Sequence, residues 1–236
     1  MLIKELTNAD IASKKLGNDL SQKLISAKKT GQNVSLLLSG GSALGVLEYI
    51  GEDTLGDYLT IGMLDERFDS NNQNSNFIHL TKTKFFRRAK KTKSNFIDTS
   101  VKRNQTQKQL ANYFEKSLRD WKNKNKNGII LATLGMGADG HIAGIMPFPE
   151  NEKLFNKLFC GKNWVTSYDA ANKNLYPLRV TTTITFLKLI SEGFAYICGK
   201  EKAANLKKIT SHSKISELPC RSLKQIKNLT IYTDIK

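Results

Sequence analysis

The sequence predicts an α/β protein in which a mostly parallel sheet carries helices on both faces. Two observations predict this class. Short apolar segments, typical of buried strands, alternate with segments whose apolar residues recur at helical spacing. Three of the apolar segments also run directly into polar or glycine-rich turns. With 236 residues and no internal repeat or linker, the chain is interpreted as one domain spanning residues 1–236.

The first half of the chain begins with a predicted helix at about residues 8–29, which Gly31 is placed to end. A buried strand at 34–38 follows, and the next helix has three apolar residues on one side: Leu44, Leu47 and Ile50. A second buried strand covers residues 59–64. After a polar loop at 71–76, a helix is expected to contain Phe77, Leu80 and Phe85.

The second half continues the alternation. Residues 95–98 are a short strand candidate, and 105–122 form the longest amphipathic helix. The clearest buried strand covers residues 128–134, and the chain after it is less regular. The remaining predicted elements are strands at 178–183, 193–198 and 228–233 and a helix at 200–209.

Three turns that follow predicted strands are expected to form one site. They begin at Ser39, Asp65 and Gly135. The carboxyl ends of parallel strands share one edge of a sheet, and ligands bind there in such proteins. Side chains in the three turns are therefore expected to meet.

The formal net charge is +16, from 37 Lys and Arg against 21 Asp and Glu. Three interpretations stay open: nucleic-acid binding, attraction of a small anionic substrate, and a lysine-rich surface without a special role. The basic residues are spread along the chain, and no motif for reading nucleic acid is present. Nucleic-acid binding is therefore not favoured as the main function.

Nothing in the sequence indicates a membrane segment, a secretion signal or a metal site. No apolar run approaches the roughly 20 residues that cross a bilayer. The N-terminus lacks a signal-peptide pattern, so a cytoplasmic location is expected. The three cysteines, Cys160, Cys198 and Cys220, lack metal-ligand spacing and do not suggest a disulfide scaffold. We expect no metal and no cofactor.

The first turn, Ser39-Gly40-Gly41-Ser42, lies between a predicted strand and a predicted helix. Adjacent glycines let backbone amides approach an anion, and the amino end of a helix favours negative charge. The turn therefore has the form of a phosphate cradle. The alternative is a tight turn in which Ser42 caps the helix.

The second turn, Asp65-Glu66-Arg67, places three charges at the end of an apolar strand. Side chains alternate along a strand, so Asp65 and Arg67 are expected to share one face and to point into the site. The alternative is a solvated loop with a local ion pair.

The third turn contains Gly135-x-Gly137-x-x-Gly140, which matches a dinucleotide-binding pattern, and it ends at His141. We set nucleotide binding aside, because Asp139 within the turn would repel a pyrophosphate and no carboxylate follows about 20 residues on. A histidine in such a turn is suited to general-base catalysis near neutral pH, and Asp139 is close enough in sequence to orient it. A turn-stabilising histidine is the alternative.

Two further cations, Arg179 and Lys202, are candidates for contact with a phosphate. Arg179 lies in a β-branched segment and Lys202 opens the helix after a strand. A solvated charge is the alternative for each. No serine or cysteine pairs convincingly with a histidine, so a covalent mechanism is not favoured.

These and a few further motifs follow one another along nearly the whole chain. They are Ser39-Gly40-Gly41-Ser42, Asp65-Glu66-Arg67 with Ser75-Asn76, Gly135 to Ala143, Leu178-Arg179-Val180-Thr181, Gly199 to Ala203, and the ending from Glu217 to Tyr232. Together they resemble the superfamily of glucosamine-6-phosphate deaminases and 6-phosphogluconolactonases. The resemblance implies a Rossmann-like fold.

Two positions separate the branches of this superfamily. The deaminase branch has a catalytic Glu seven positions after the Asp of Asp-Gly-His, where this chain has Met146, and usually an aromatic residue where it has Arg67. The lactonase branch is therefore the closer resemblance. The chain departs from the lactonase pattern beside the motifs, with Ala43-Leu44 for Thr-Pro, Phe68-Asp69 for Val-Pro, and Gly144 to Phe148 for Ser-Leu-Phe-Pro-Gly.

The resemblance implies metal-free hydrolysis of a phosphorylated sugar lactone, 6-phosphoglucono-δ-lactone, by a monomer or small homo-oligomer. The implied roles are His141 as general base, Asp139 as its orienting carboxylate, Arg67 at the oxyanion and Asp65 at a sugar hydroxyl. The implied phosphate site consists of Ser39, Gly40, Gly41, Ser42, Arg179 and Lys202. Glucosamine-6-phosphate deamination or isomerisation, non-catalytic phosphosugar binding and nucleic-acid binding are the alternatives.

Overall fold

The computed structural model describes residues 1–236. Its ten strands are β1 (Leu2–Glu5), β2 (Val34–Leu38), β3 (Leu59–Met63), β4 (Asp65–Arg67), β5 (Asn95–Phe96), β6 (Ile129–Gly135), β7 (Val165–Asp169), β8 (Leu178–Thr182), β9 (Glu192–Tyr196) and β10 (Asn228–Thr233). Seven of them form a wholly parallel central sheet in the order β1-β10-β9-β6-β2-β3-β5. The predicted fold class is therefore confirmed.

Seven α-helices surround the sheet. They are α1 (Ala9–Lys29), α2 (Asn76–Thr81), α3 (Lys84–Lys91), α4 (Gln107–Lys124), α5 (Glu152–Phe159), α6 (Ile184–Leu187) and α7 (Ala203–Lys208). The two longest begin at side-chain caps, since Asn8 accepts from the amide of Ile11 and Thr106 forms a reciprocal capping box with Gln109. None of the helices combines the length and the apolarity that a membrane crossing requires.

The alternation of side chains along β2 divides the apolar core between the two faces of the sheet. Leu36 and Leu38 pack in a cluster of 23 buried residues that includes the apolar stripe of α1. Leu37 packs in a second cluster, of 38 buried residues, with the apolar stripe of α4. Helices therefore cover both faces, and both faces of β2 are fully buried.

A second, antiparallel sheet in the order β4-β8-β7 lies at the carboxyl edge of the central sheet. Leu64 links the two sheets: its amide donates to the carbonyl of Leu38 at 2.8 Å, and its carbonyl accepts from Thr182 at 2.9 Å. The chain thus leaves β3 and enters β4 without a loop. This step turns the charged segment 65–67 over the edge of the central sheet.

Several elements differ from the expectations. The predicted helix after Ser42 is a 3-10 helix, Gly41–Tyr49, in a stretch where Gly45 lowers α-helical propensity. The predicted helix through Phe85 is two helices, because Thr83 caps the start of α3 by accepting from Phe86 at 3.1 Å. The predicted helix at 200–209 is a 3-10 turn followed by α7.

The sequence pattern also missed β1, α5 and β7. Strand β1 is an edge strand with half-exposed apolar side chains, so no buried pattern marks it. Its pairing with β10, in the register Leu2 to Thr230, defines it instead. Strand β8 was expected, but as part of the main sheet; it belongs to the antiparallel one.

Candidate active site

A cleft of about 170 Å³ opens where the three predicted turns meet at the carboxyl edge of the sheet. The turn after β2, strand β4 and the turn after β6 all contribute to it, and β8 contributes from the second sheet. Among the residues expected at the site, the following line the cleft: Ser39, Gly40, Gly41, Ser42, Asp65, Arg67, His141 and Arg179. Asp139 contacts His141 just behind it.

His141 and Asp139 form a hydrogen-bonded pair, with 2.6 Å between the imidazole Nδ1 and the carboxylate Oδ1. The backbone amide of His141 donates to the same oxygen at 3.1 Å. Because a carboxylate accepts, Nδ1 carries the proton of this hydrogen bond, and in the neutral imidazole Nε2 therefore has the free lone pair. Burial raises the pKa of Asp139, but the hydrogen bonds that the carboxylate accepts from the ring and the backbone amide of His141 outweigh this effect and leave the pKa below its usual value.

The glycines of the third turn leave space for the imidazole of His141. A side chain at Gly137 would overlap the ring atoms Cε1 and Nδ1 of His141. Gly140 has a φ of +82°, and the turn closes through hydrogen bonds from Gly137 to the His141 carbonyl and from Gly140 to the Gly137 carbonyl. The pattern that resembles a dinucleotide motif therefore makes room for a histidine ring.

Asp65 and Arg179 form a buried ion pair at the wall of the cleft. Nη2 of Arg179 contacts Oδ2 of Asp65 between β8 and β4. Asp65 is 4% exposed and Arg179 is 5% exposed. Gly144, with a φ of +70°, lets the backbone approach the pair, since a Cβ there would lie 2.8 Å from Asp65 Oδ2. The pair compensates the charge of Arg179, which was expected to serve a phosphate directly.

Arg67 also lines the cleft but forms no salt bridge. Its guanidinium lies 4.5 Å from the centre of the Tyr176 ring, and its buried Nε has no hydrogen-bond partner. As expected from strand alternation, Asp65 and Arg67 share the face that lines the cleft. Arg67 thus supplies the cleft with a positive charge that no carboxylate compensates.

Glu66 points away from the cleft and is fully buried. Its carboxylate accepts five hydrogen bonds, from the amides of Arg67, Asn76 and Phe77 and the hydroxyls of Ser75 and Thr99, at 2.5–3.1 Å. Burial raises its pKa to about 7 against these hydrogen bonds, and the neighbouring Asp65 charge adds to the rise. Glu66 therefore fixes β4 to the start of α2.

The first turn lies at the start of the 3-10 helix 41–49. Ser39 is buried, and its hydroxyl accepts from the Gly135 amide at 3.2 Å, which ties this turn to the one that bears His141. Gly41 has a φ of +65°. No side chain caps the helix, so the alternative in which Ser42 caps it does not hold. Gly40, Gly41 and Ser42 face the cleft instead.

The lining of the cleft differs from the expected site at two residues. Lys202 does not line the cleft; it ends the 3-10 turn Lys200–Lys202 before α7. Asn76, which the sequence shows only as part of the Ser75-Asn76 motif, lines the cleft and is 1% exposed. Its side-chain Nδ2 donates to the backbone carbonyl of Asp65 at 3.0 Å, while its Oδ1 has no partner. The Ser75-Asn76 pair was the available signal for it.

Residues 7–232 match the model of a family described as glucosamine-6-phosphate isomerases/6-phosphogluconolactonase. Among curated proteins, none matches the chain. Solved structures of similar fold include the 6-phosphogluconolactonases of Thermotoga maritima (25% identity, TM-score 0.72, 98% of this chain and 96% of that one) and Shewanella baltica (20%, 0.77, 99% and 97%). That of Trypanosoma brucei is 18% identical, with a TM-score of 0.79 and coverage of 98% and 95%. The chain belongs to the glucosamine-6-phosphate isomerase/6-phosphogluconolactonase family.

Proposed function

We propose that this chain hydrolyses 6-phosphoglucono-δ-lactone to 6-phosphogluconate, with His141 as the general base. The observation that carries the proposal is the His141–Asp139 pair at the cleft, whose Nε2 keeps its lone pair, beside the uncompensated charge of Arg67. The lactonases among the similar solved structures support the choice of substrate.

In the proposed reaction, Nε2 of His141 removes a proton from water as the water oxygen attacks the lactone carbonyl carbon. The carbonyl oxygen becomes an oxyanion, which Arg67 stabilises. When the tetrahedral intermediate collapses, the bond between this carbon and the ring oxygen breaks. The proton on His141 passes to the ring oxygen, which becomes a hydroxyl group. Asp139 holds the imidazole in the required tautomer throughout.

The phosphate is assigned to the turn of Gly40, Gly41 and Ser42, whose helix has no side-chain cap. Arg179 acts through its ion pair with Asp65. The pair holds the Asp65 carboxylate at the wall of the cleft, where it would accept a hydrogen bond from a sugar hydroxyl. Lys202 has no part in the proposal because it lies outside the cleft. We also propose that the protein is cytoplasmic and is a monomer or small homo-oligomer, as expected from the sequence.

Deamination of glucosamine-6-phosphate is not favoured. The position that carries the catalytic Glu in the deaminase branch is Met146, which is fully buried in the apolar core. A thioether has no proton to exchange, so this position is unsuited to acid–base work. Ammonia release from glucosamine-6-phosphate would contradict this conclusion.

The decisive experiment follows the loss of 6-phosphoglucono-δ-lactone with and without the protein. The spontaneous rate is the baseline, because the lactone also opens in water. We expect a rate that rises in proportion to protein concentration and saturates with substrate. A rate equal to the spontaneous one at every protein concentration would overturn the proposal, and tight binding of 6-phosphogluconate without turnover would then indicate a phosphosugar-binding protein.

A further inference from the structure

Tyr176 is the neighbour of Arg67 that none of the site motifs includes. It lies half-buried in the loop before β8, and its ring centre is 4.5 Å from the Arg67 guanidinium carbon. The loop is held in place on both sides of the ring. The Tyr176 amide donates to Asn174 Oδ1 at 3.0 Å, and the Pro177 carbonyl accepts from the Ala170 amide at 2.8 Å. The backbone is thus held on both sides of Tyr176, and the ring lies against the guanidinium.

The two arginines of the cleft are held in different ways. Arg67 and Arg179 are directly opposed in the β4–β8 register, and both side chains line the cleft. Asp65 compensates Arg179. Arg67 has no carboxylate partner, whereas the Nε atoms of both arginines are buried without a hydrogen bond. The face of an aromatic ring attracts a cation, so Tyr176 provides the attraction that Arg67 otherwise lacks.

Arg67 also has room to leave the cleft. It lines a second cavity, of about 350 Å³, between the segments 67–74 and 175–178, with apolar walls from Phe68 and Leu178. Tyr176 lines this second cavity too and fills the space beside the guanidinium. Without the ring, the long arginine side chain gains rotamers that point away from the reacting carbonyl. The Arg67 charge is then less often in the position that stabilises the oxyanion.

We propose that Tyr176 is a positioning residue that holds the Arg67 guanidinium toward the lactone carbonyl in the cleft. This inference rests on the proposed lactonase activity. Tyr176 itself does not contact the substrate. Tyr176 acts through Arg67 and mainly on kcat, because the positioned charge stabilises the oxyanion of the transition state rather than the bound substrate.

The test compares Tyr176→Leu and Tyr176→Phe with the wild-type protein in the lactone assay. We expect Tyr176→Leu to lower kcat by roughly 3- to 10-fold with little change in KM, and Tyr176→Phe to stay within about twofold of wild type because the ring face remains. Leu175→Ala is the matched control, since Leu175 is the neighbouring residue and is 83% exposed. It should leave both constants unchanged.

A double-mutant cycle with Arg67→Ala separates positioning from a general structural role. Adding Tyr176→Leu to Arg67→Ala should cause no further loss of kcat. The proposal is overturned if Tyr176→Leu has the kcat of wild type, or if it lowers kcat equally in the Arg67→Ala background. If Tyr176→Leu fails to fold by circular dichroism, Tyr176→Gln takes its place in the cycle.

A readout independent of turnover distinguishes the two proposals. Phenylglyoxal modifies exposed arginines, and peptide mapping gives the rate at Arg67. This rate should rise severalfold in Tyr176→Leu but not in Tyr176→Phe, and equal rates in all three proteins would contradict the stacking. A wild-type protein that does not exceed the spontaneous lactone rate overturns the proposed function and, with it, the role of Tyr176 in catalysis, whatever the modification rates.

Discussion

Asp139 accepts a hydrogen bond from His141 Nδ1 at 2.6 Å and another from the His141 backbone amide at 3.1 Å. One carboxylate oxygen thus fixes both the ring and the main chain of the same residue. A direct consequence is that the tautomer and the orientation of the imidazole depend on Asp139. The lone pair on Nε2 is available to water only in this arrangement.

Asp139→Asn is expected to lower kcat by more than about tenfold, because an amide can donate to Nδ1 and so favour the wrong tautomer. The measurement is kcat in the lactone assay. Asp120→Asn, which changes an exposed carboxylate in α4, should have no effect and serves as the control. An Asp139→Asn enzyme with the wild-type kcat would show that the pair has no part in proton transfer.

His141→Ala is expected to lose roughly 100- to 10,000-fold in kcat, the usual contribution of a general base. The side chain is only partly buried, 28% exposed, so the far-ultraviolet circular dichroism and the unfolding midpoint should stay close to wild type. His212→Ala, at an exposed position, is the control. Retention of near wild-type rates by His141→Ala would remove His141 from the mechanism.

Gly137→Ala is expected to displace the imidazole, because the new Cβ would overlap its Cε1 and Nδ1 atoms. A displacement of about 1 Å in a catalytic group costs on the order of 100-fold in rate. Gly45→Ala is a matched control, since a Cβ at Gly45 would meet no atom within 4 Å. Equal kcat values for the two alanine variants would contradict the role given to Gly137.

Asp65→Asn is expected to destabilise the fold by about 3–5 kcal/mol, because it leaves the Arg179 charge buried without compensation. Chemical denaturation measures the free energy of unfolding. Asp120→Asn removes an exposed ion pair with Lys116, and its effect should be below about 0.5 kcal/mol. A small effect of Asp65→Asn would show that the pair is open to water.

Glu66 is expected to make stability depend on pH. Its pKa in the folded protein, about 7, lies above the ordinary 4.5, so the folded state binds the proton more strongly than the unfolded state. The contribution to stability is therefore complete below about pH 4.5 and is lost as the pH rises through 7, a change of about 3 kcal/mol.

Denaturation of wild type and Glu66→Gln at pH 4.5, 6 and 8 measures this contribution. The free energy of unfolding of wild type should fall relative to that of Glu66→Gln across the series. A difference that is constant with pH would show that five donors keep Glu66 ionised throughout this range.

The sequence determined most of the parallel sheet and the sites of its chemistry. Buried parallel strands are short, continuous apolar runs, so β2, β3 and β6 are visible in the sequence, and the turns after them lie at one edge for geometric reasons. His141 and Asp139 are two positions apart in sequence, so their pairing was predictable from the turn itself. Local contacts of this kind need no knowledge of the rest of the fold.

Only the tertiary structure decided the contacts between distant parts of the chain. Asp65 and Arg179 are 114 residues apart in sequence, and the separate antiparallel sheet that joins them has no signature in either strand alone. The stacking of Tyr176 on Arg67 depends on the same sheet. The spacing of apolar residues and the residue types in turns indicate which side chains each segment buries. The partner of a buried charge, in contrast, is decided by packing and strand register across the whole molecule.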